Sequence, residues 1–472
     1  MGHRGILLAI TLAALAVGST SQPALAASTC DYAASPSGSD SASGTVQAPY
    51  RTVQRLVSSL SPGQVGCLRA GTYTGNVKVS RGGGAGAPIR LTSYGAEKPR
   101  VVGRFWIANG ADHVVVDHLV LDGRSTTLPS PSIYASDVAF RDNEVTNAHT
   151  AICFNIGQID YGWFVRGAVI ERNHIHDCGK LPSANHDHGI YVENSSDTRI
   201  AGNLIHDNAD RGINLYPNAR RTTITGNVIA NNGEGILFSG DFGQATTDTL
   251  VQGNVIAYSK LRYNVEAWFP AGNPTGTGNA VRRNCFYKGA RGNVDAAVGG
   301  ASIALDGNLV SNPGFVDRGR GDFRMSATSP CAALLAGVTD AAGPVSGLTL
   351  GTDAPAPTSG TSPPPATSPG PPDRPPVRRR RSSSAPRAIA LRATRRGRRV
   401  RAQVELQGKR AGRTALQVRR GGGWRNLAHR YVRAGKTARI SVTLSRDLPR
   451  RVKLRARTPG VGVSPTVVLR VR

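Results

Sequence analysis

Seven asparagines recur along the middle of this chain, each followed two residues later by Val, Ile or Phe. They are Asn143, Asn173, Asn203, Asn227, Asn254, Asn284 and Asn308, spaced 30, 30, 24, 27, 30 and 24 residues apart. An internal period of this length marks a repeat architecture, in which each unit buries its apolar face only against its neighbours. Short strands with inward Val, Ile or Leu would stack coil on coil. A tight turn between two strands of a coil would use Asn or Gly-Asn, which tolerate left-handed backbone. Stacked asparagines could then share amide hydrogen bonds along the stack. A further strand follows each turn, at Gly189-Ile190, Gly212-Ile213 and Gly235-Ile236, at intervals of 23 residues. Leucine-rich repeats would need more leucine and alternating helices, and a β-sandwich would show hairpins without a constant coil length. The expected fold is therefore all-β, a right-handed parallel β-helix.

A solenoid must cover its first coil. Residues 48–60 offer an amphipathic helix with Val53, Leu56, Val57 and Leu60 on one side. The repeat fades after Asn312. Ahead of it, a basic start (His3, Arg4), an apolar run from Ile6 to Val17 and Ala24-Leu25-Ala26 read as a signal peptide over residues 1–26. No later segment reaches the length of a membrane helix. Export makes a disulfide framework plausible chemistry for the six cysteines, although six allow 15 pairings. The preferred set is sequential, Cys30 with Cys67, Cys153 with Cys178 and Cys285 with Cys331. Each pair would close a loop the size of one or two coils.

Composition changes abruptly near residue 352. The β-helix domain is placed at 27–352, a Pro/Ser/Thr-rich and Arg-rich linker at 353–386, and a second domain at 387–472. The chain's net charge is +28, and residues 373–472 hold 30 Lys and Arg against 3 acidic residues, so they carry +27 of it. Alternation such as Val400-x-Ala402-x-Val404-x-Leu406 and Ile440-x-Val442-x-Leu444 suggests a small immunoglobulin-like β-sandwich. Docking of this basic domain to an anionic wall or matrix polymer is the expected role. Nucleic acid is disfavoured by export and by the lack of aromatic interleaving. A monomer is expected.

At its N-terminal end the chain carries Ser35-Pro-Ser-Gly-Ser-Asp40, Ala48-Pro-Tyr-Arg-Thr52, Pro62-Gly63, Ala70-Gly-Thr-Tyr73 and Ala87-Pro-Ile-Arg-Leu91. With the Asn-Ile coils, these resemble secreted β-helix proteins of the pectate-lyase-like superfamily over about residues 30–345. Family 9 pectate lyases, alginate and chondroitin lyases and mannuronan epimerases are the enzymes nearest in kind. The resemblance implies a polysaccharide substrate, anionic in character, and β-elimination on a pectin- or alginate-like uronate. That reaction needs a cation, calcium or Arg/Lys, at the uronate carboxylate, a base for the C-5 proton and an acid for the leaving oxygen.

Setting the Gly-Ile positions in register gives outward columns. One holds Thr150, His188, Arg211 and Glu234. The next holds Cys153, Tyr191, Asn214, Leu237 and Glu266, and the third Asn155, Glu193, Tyr216, Ser239 and Trp268. The loop from Cys178 to Asp187 overhangs them, ending in Asn185-His186-Asp187-His188, while His174, His176 and His206 point outward from the preceding strand. Catalytic candidates are His188, Arg211, Tyr191 and Glu193, with Arg211 neutralising the carboxylate and His188 or Tyr191 exchanging protons. Substrate-binding candidates are His186, Asp187, Tyr216, Glu234, Trp268 and His206.

The segment Asp187-His188-Gly189-Ile190-Tyr191-Val192-Glu193 resembles the Asp-Gly-Phe-x-x-Lys segment of family 9 pectate lyases, with Glu193 near the position of the lysine. Asp187-His188 is loosely similar to the Asp-Pro-His-Glu core of mannuronan epimerases. Hydrolysis would pair Glu193 with Glu234 at an inverting distance, but no Asp-Asp pair of the polygalacturonase kind is present. His186-x-His188 is a weak metal motif, and calcium is the one cofactor the resemblance admits. The competing reading is a non-catalytic glycan-binding or cell-surface β-helix.

Overall fold

The computed structural model describes residues 30–298, 303–336, 339–340 and 343–344, and the strands that lie within 389–470. The expected signal peptide and linker lie outside the described residues. From Tyr32 to Val310 the chain winds through three parallel sheets, visiting each once per coil. The first sheet has eleven strands, from Tyr32–Ala34 to Ile303–Asp306. The second has ten, from Thr72–Thr74 to Leu309–Val310. The third follows a nine-strand path from Val77–Val79 to Val294–Val298.

Inside, like sits on like. Ile190, Ile213 and Ile236 pair in register and are fully enclosed, as are Ile170, Ile200 and Ile224 in the first sheet. Each such side chain contributes about 1.5–3 kcal/mol on leaving water. Phe105, Phe140 and Phe154 meet edge to face, with ring centroids 6.0 and 5.3 Å apart. The interior is thus a packed apolar column.

The asparagine turns join the first sheet to the second, and the structure revises their mechanics. The residue before each asparagine, not the asparagine itself, takes the left-handed conformation: Asp142, Arg172, Gly202, Gly226, Gly253, Arg283 and Gly307 all have φ between 51° and 64°. The asparagine turns inward instead. Its Nδ2 donates to the Oδ1 of the next asparagine at 2.9–3.0 Å, unbroken from Asn143 to Asn308. Nδ2 also donates to a backbone carbonyl of the preceding coil, as Asn203 does to Ile170 at 2.9 Å. Buried amides survive inside an apolar column only when satisfied in this way.

The first coil is covered by a helix, whereas the segment after the last coil folds back over the outer side of the second sheet. The first-coil helix is shorter than expected, Val53–Ser59, because Thr52 caps it: its Oγ1 accepts the Arg55 N–H at 3.1 Å. Val53, Leu56, Val57 and Leu60 are buried as foreseen. Past the last coil, a hairpin (Phe315–Asp317 with Asp322–Met325) and the helix Pro330–Ala336 form a further cover. Phe323 packs against Leu204, Val228 and Val255 of the second sheet. The three disulfides are Cys30–Cys67, Cys153–Cys178 and Cys285–Cys331, the sequential set. Beyond residue 388 the described strands pair antiparallel in small sheets of three and five, compatible with the expected sandwich.

Candidate functional site

Outward side chains of the third sheet line up across all nine coils. One column runs Lys78, Trp106, Ser132, Asn155, Tyr191, Asn214, Leu237, Glu266, Asp295. Beside it, Ser239 pairs with Trp268, and Tyr216 adjoins Leu215, which pairs with Phe238. Arg211 pairs with Glu234 directly. The first two expected columns hold from Arg211 and Tyr191 onward, the third breaks at a bulge between Val192 and Asn194, and in the coil below Tyr191 the register shifts by two residues. Asn155, not Cys153, stands beside Tyr191, because enclosed Phe154 pairs with Ile190. Cys153 is buried in its disulfide, and Thr150 turns back to bond the carbonyls of Asn147 and Gly123.

His188 lies at the turn into this sheet and is 3% exposed. The Asn214 amide Nδ2 sits 2.9 Å from its Nε2, and among the described residues its Nδ1 has no hydrogen-bond partner. With Nδ2 donating, the ring is neutral and carries its proton on Nδ1. Burial holds its pKa well below the usual histidine range, and the nearby Arg211 and Arg262 guanidiniums push the same way. The ring of Tyr191 meets it edge-on at 5.7 Å and stacks on Tyr216 at 6.5 Å. Tyr191 and Tyr216 are half-buried, so solvent reaches these rings while His188 beneath them is enclosed. Tyr216 donates its hydroxyl to Asp241 at 3.0 Å.

Arg211 is enclosed, and its Nε lies 2.9 Å from Glu234 Oε2. Arg262 places Nη1 on the same oxygen at 3.2 Å, and donates at 2.5 Å to Asn185 Oδ1 in the overhanging loop. Two guanidiniums thus share one carboxylate oxygen. Burial raises the Glu234 pKa to about 8, helped by the adjoining Glu266 carboxyl and opposed by the two arginines. Asp210 and Glu266 add further negative charge near Arg211.

The loop owes its shape to a residue the sequence reading missed. Asp210 is buried and accepts the backbone N–H groups of Asn185, His186 and Asp187 at 3.0, 2.8 and 3.0 Å, with the Ser183 hydroxyl added. His186 is consequently exposed, whereas Asp187 is half-buried, and its pKa is raised by that burial. Arg262 was missed too, since it comes from an inter-coil loop with no repeat position to flag it. Asn214 had been aligned but given no role.

Two candidates lie elsewhere or play another part. His206 belongs to the second sheet, where its ring packs on Phe323 at 4.7 Å and its Nε2 faces His174 Nε2 at 2.7 Å. The terminal hairpin covers it, which no alternation of the strand could reveal. Glu193 is buried and spent on the neighbouring turn, accepting from Ile159 N, Asn155 Nδ2 and Gln158 Nε2 at 3.3, 3.4 and 3.5 Å. Trp268 is on the face and 45% exposed. Among the described residues no three His, Cys, Asp or Glu side chains are arranged to hold a metal ion. Calcium takes oxygen ligands, and Glu234, a buried carboxylate of this face, is engaged by guanidiniums.

Residues 131–310 match the family described as "Right handed beta helix region". The main domain is a right-handed parallel β-helix. A stretch of 69 residues, 14% of this chain, is 41% identical to "Pectate lyase PEL9" of Emericella nidulans (strain FGSC A4), and spans 17% of that protein's length. Among solved structures, pectate lyase Pel9A is similar at 14% identity and a TM-score of 0.45, over 63% of this chain and 90% of its own. A structure titled rhamnogalacturonan lyase is similar at 16% identity and a TM-score of 0.44, over 60% and 90%. An alginate lyase from Paenibacillus sp. str. FPU-7 is similar at 17% identity and a TM-score of 0.38, over 55% and 96%.

Proposed function

We propose that this is an exported polysaccharide lyase, whose third-sheet face cleaves uronate-containing, pectin- or alginate-like glycans by β-elimination. The observation that carries this reading is the convergence, beneath stacked Tyr191 and Tyr216, of a neutral buried His188 with two guanidiniums on one carboxylate. Resemblance in one stretch to a pectate lyase supports it. The uronate carboxylate would meet the positive charge of Arg211 and Arg262, which makes the C-5 proton acidic. Tyr191, the accessible group, acts as its phenolate beside the two guanidiniums, takes that proton and, now a phenol, is the donor that returns it to the leaving oxygen. The C-5–H bond breaks, a C-4–C-5 double bond forms, and the C-4–O bond breaks, with a proton returned to the leaving oxygen. His188 and Asn214 orient Tyr191 from below. The three disulfides suit an oxidising compartment, and the basic C-terminal region would dock to anionic wall or matrix polymer.

The test is to incubate the full chain with polygalacturonate, pectin, alginate and chondroitin, with and without calcium, and follow ultraviolet absorbance. A rising signal from the unsaturated uronate is expected on at least one polymer. No new double bond on any of them defeats the lyase reading. The burial of His188, and Glu193 standing where the resemblance expects lysine, favour a second reading in which the same face only binds glycan.

A further inference from the structure

The coils just below Tyr191 carry an aromatic and cationic cluster that the proposed reaction does not use. After strand Phe154–Ile156 the chain leaves the third sheet as a turn, closed by reciprocal backbone bonds between Gln158 and Trp163 at 2.9 and 3.0 Å. Gly157 opens it at φ 76°, where a Cβ would come within 2.1 Å of the Asn194 carbonyl oxygen. Glu193 holds the turn through Ile159 N and Gln158 Nε2, and Asn194 Nδ2 donates to the Trp163 carbonyl at 3.1 Å. What this anchoring presents outward is a stacked pair, Tyr161 on Trp163, 4.7 Å apart and 20° from parallel. Tyr161 is 70% exposed.

The cluster continues down the solenoid. Trp163 meets Tyr134 at 5.0 Å, the Tyr134 hydroxyl lies 3.5 Å from Arg104 Nη2, and the Arg104 guanidinium sits 4.7 Å above Trp106. Among the described residues Arg104 has no ion-pair partner and its buried Nε has no hydrogen-bond partner. Other arginines of nearby coils are paired, Arg90 with Asp117 and Arg100 with Asp122. Trp106 and Tyr191 share one outward column, three coils apart, about 14 Å at the usual strand spacing.

We infer that Trp106, Arg104, Trp163 and Tyr161, braced by the buried Tyr134, form a separate binding platform for a carboxylated glycan chain running along the solenoid axis, and that Glu193 is the positioning residue of that platform and not a catalytic one. Aromatic faces accept the apolar faces of sugar rings, and an uncompensated guanidinium selects chains that carry carboxylates. The platform rests on the proposed glycan reading only for the class of its ligand. It also accounts for the acidic residue at 193: a lysine there could not accept the turn's N–H.

Affinity electrophoresis of the full chain through gels holding polygalacturonate, alginate or dextran tests this. Ionic strength is raised so that attraction to the basic C-terminal region is screened. The parent chain should be retarded by a polyuronate and not by dextran. Trp163→Ala and Arg104→Gln should each weaken that retardation about tenfold. Glu193→Ala should match Trp163→Ala, and Glu193→Gln, which keeps an acceptor oxygen, should restore binding. Circular dichroism melts identify a variant that has simply failed to fold, and Tyr161→Ala, on an exposed side chain, then replaces Trp163→Ala. Unchanged retardation in Tyr161→Ala and Arg104→Gln, equal retention by dextran, or no retardation of the parent would each overturn the platform. Ultraviolet product with unaltered binding in these variants sinks the platform alone. Retardation without product sinks only the lyase reading.

Discussion

The turns between the first and second sheets and the outer face of the third sheet are built from the same coils, yet treat their polar groups in opposite ways. Along the turns every asparagine from Asn143 to Asn284 donates to its successor and binds backbone besides, and surface charges pair off there, Arg172 with Asp142. On the third-sheet face, among the described residues, His188 Nδ1 and Asn214 Oδ1 are buried with no hydrogen-bond partner, two guanidiniums crowd one carboxylate, and Arg104 has no counter-ion. Leaving buried groups unsatisfied costs about 1–3 kcal/mol each. The asparagine column is fully bonded although Thr225 Oγ1 beside it is not, so the third-sheet face, where buried unpartnered groups and charges cluster, is where a ligand belongs.

The contrast can be broken most forcefully at the site. Arg211→Ala should lower the rate on the active polyuronate at least a hundredfold, as loss of a preorganised charge does, and His188→Ala should do likewise. Retained rates in both, by the ultraviolet assay, would strip the face of its assigned chemistry. Because Arg211→Ala strands Glu234 in a buried setting, the double variant Arg211→Met with Glu234→Leu keeps the test sound: it should fold and still be inactive.

Next in size is the ladder. Asn203→Leu removes the donors to Asn227 and Ile170 and the acceptor used by Asn173, and should cost about 3 kcal/mol or more in denaturant unfolding. A loss below about 1 kcal/mol would mean the ladder is decoration and not scaffold.

Glu234 gives a pH signature of smaller size. Its folded pKa is raised to about 8 from 4.5, so the folded state binds the proton more tightly than the unfolded one. The stability this group contributes is therefore full below about pH 4.5 and declines as pH rises through about 8. Glu234→Gln should flatten the fall in melting temperature between pH 5 and 8. An identical slope in parent and variant would place the proton elsewhere.

The smallest effect is expected at Arg172. It sits at φ 52° and pairs with Asp142 in an exposed bridge. Arg172→Gly loses a pair worth little at the surface and gains a residue suited to left-handed backbone. The two oppose, and unfolding free energy should change by less than about 1 kcal/mol. A larger loss would show that these outer pairs share the ladder's work.

Much of the scaffold was legible before any coordinates. The asparagine spacing gave the coils, the Gly-Ile interval gave the register of residues 190, 213 and 236, and all three disulfides followed the coil lengths. Errors arose where a coil carries an insertion. The turn after Ile156 lengthens the step to the next coil, so counting back from Ile190 placed Cys153 where Asn155 belongs. His206 was misplaced because alternation gives the side of a strand but not what later folds over it.

By itself, then, the sequence determined the repeat. Inward apolar residues and asparagines act between adjacent coils, through interactions whose range is one strand spacing, so their periodicity is written locally. Only the tertiary structure decided which polar residues would be satisfied and which left free. Arg262 reaches Glu234 and Asn185, Asp210 gathers the overhanging loop, Glu193 is diverted to the aromatic turn, and Phe323 covers His206. Each of these contacts joins residues more than twenty positions apart, across loops of unequal length. Their outcome depends on geometry and burial, which no local pattern encodes.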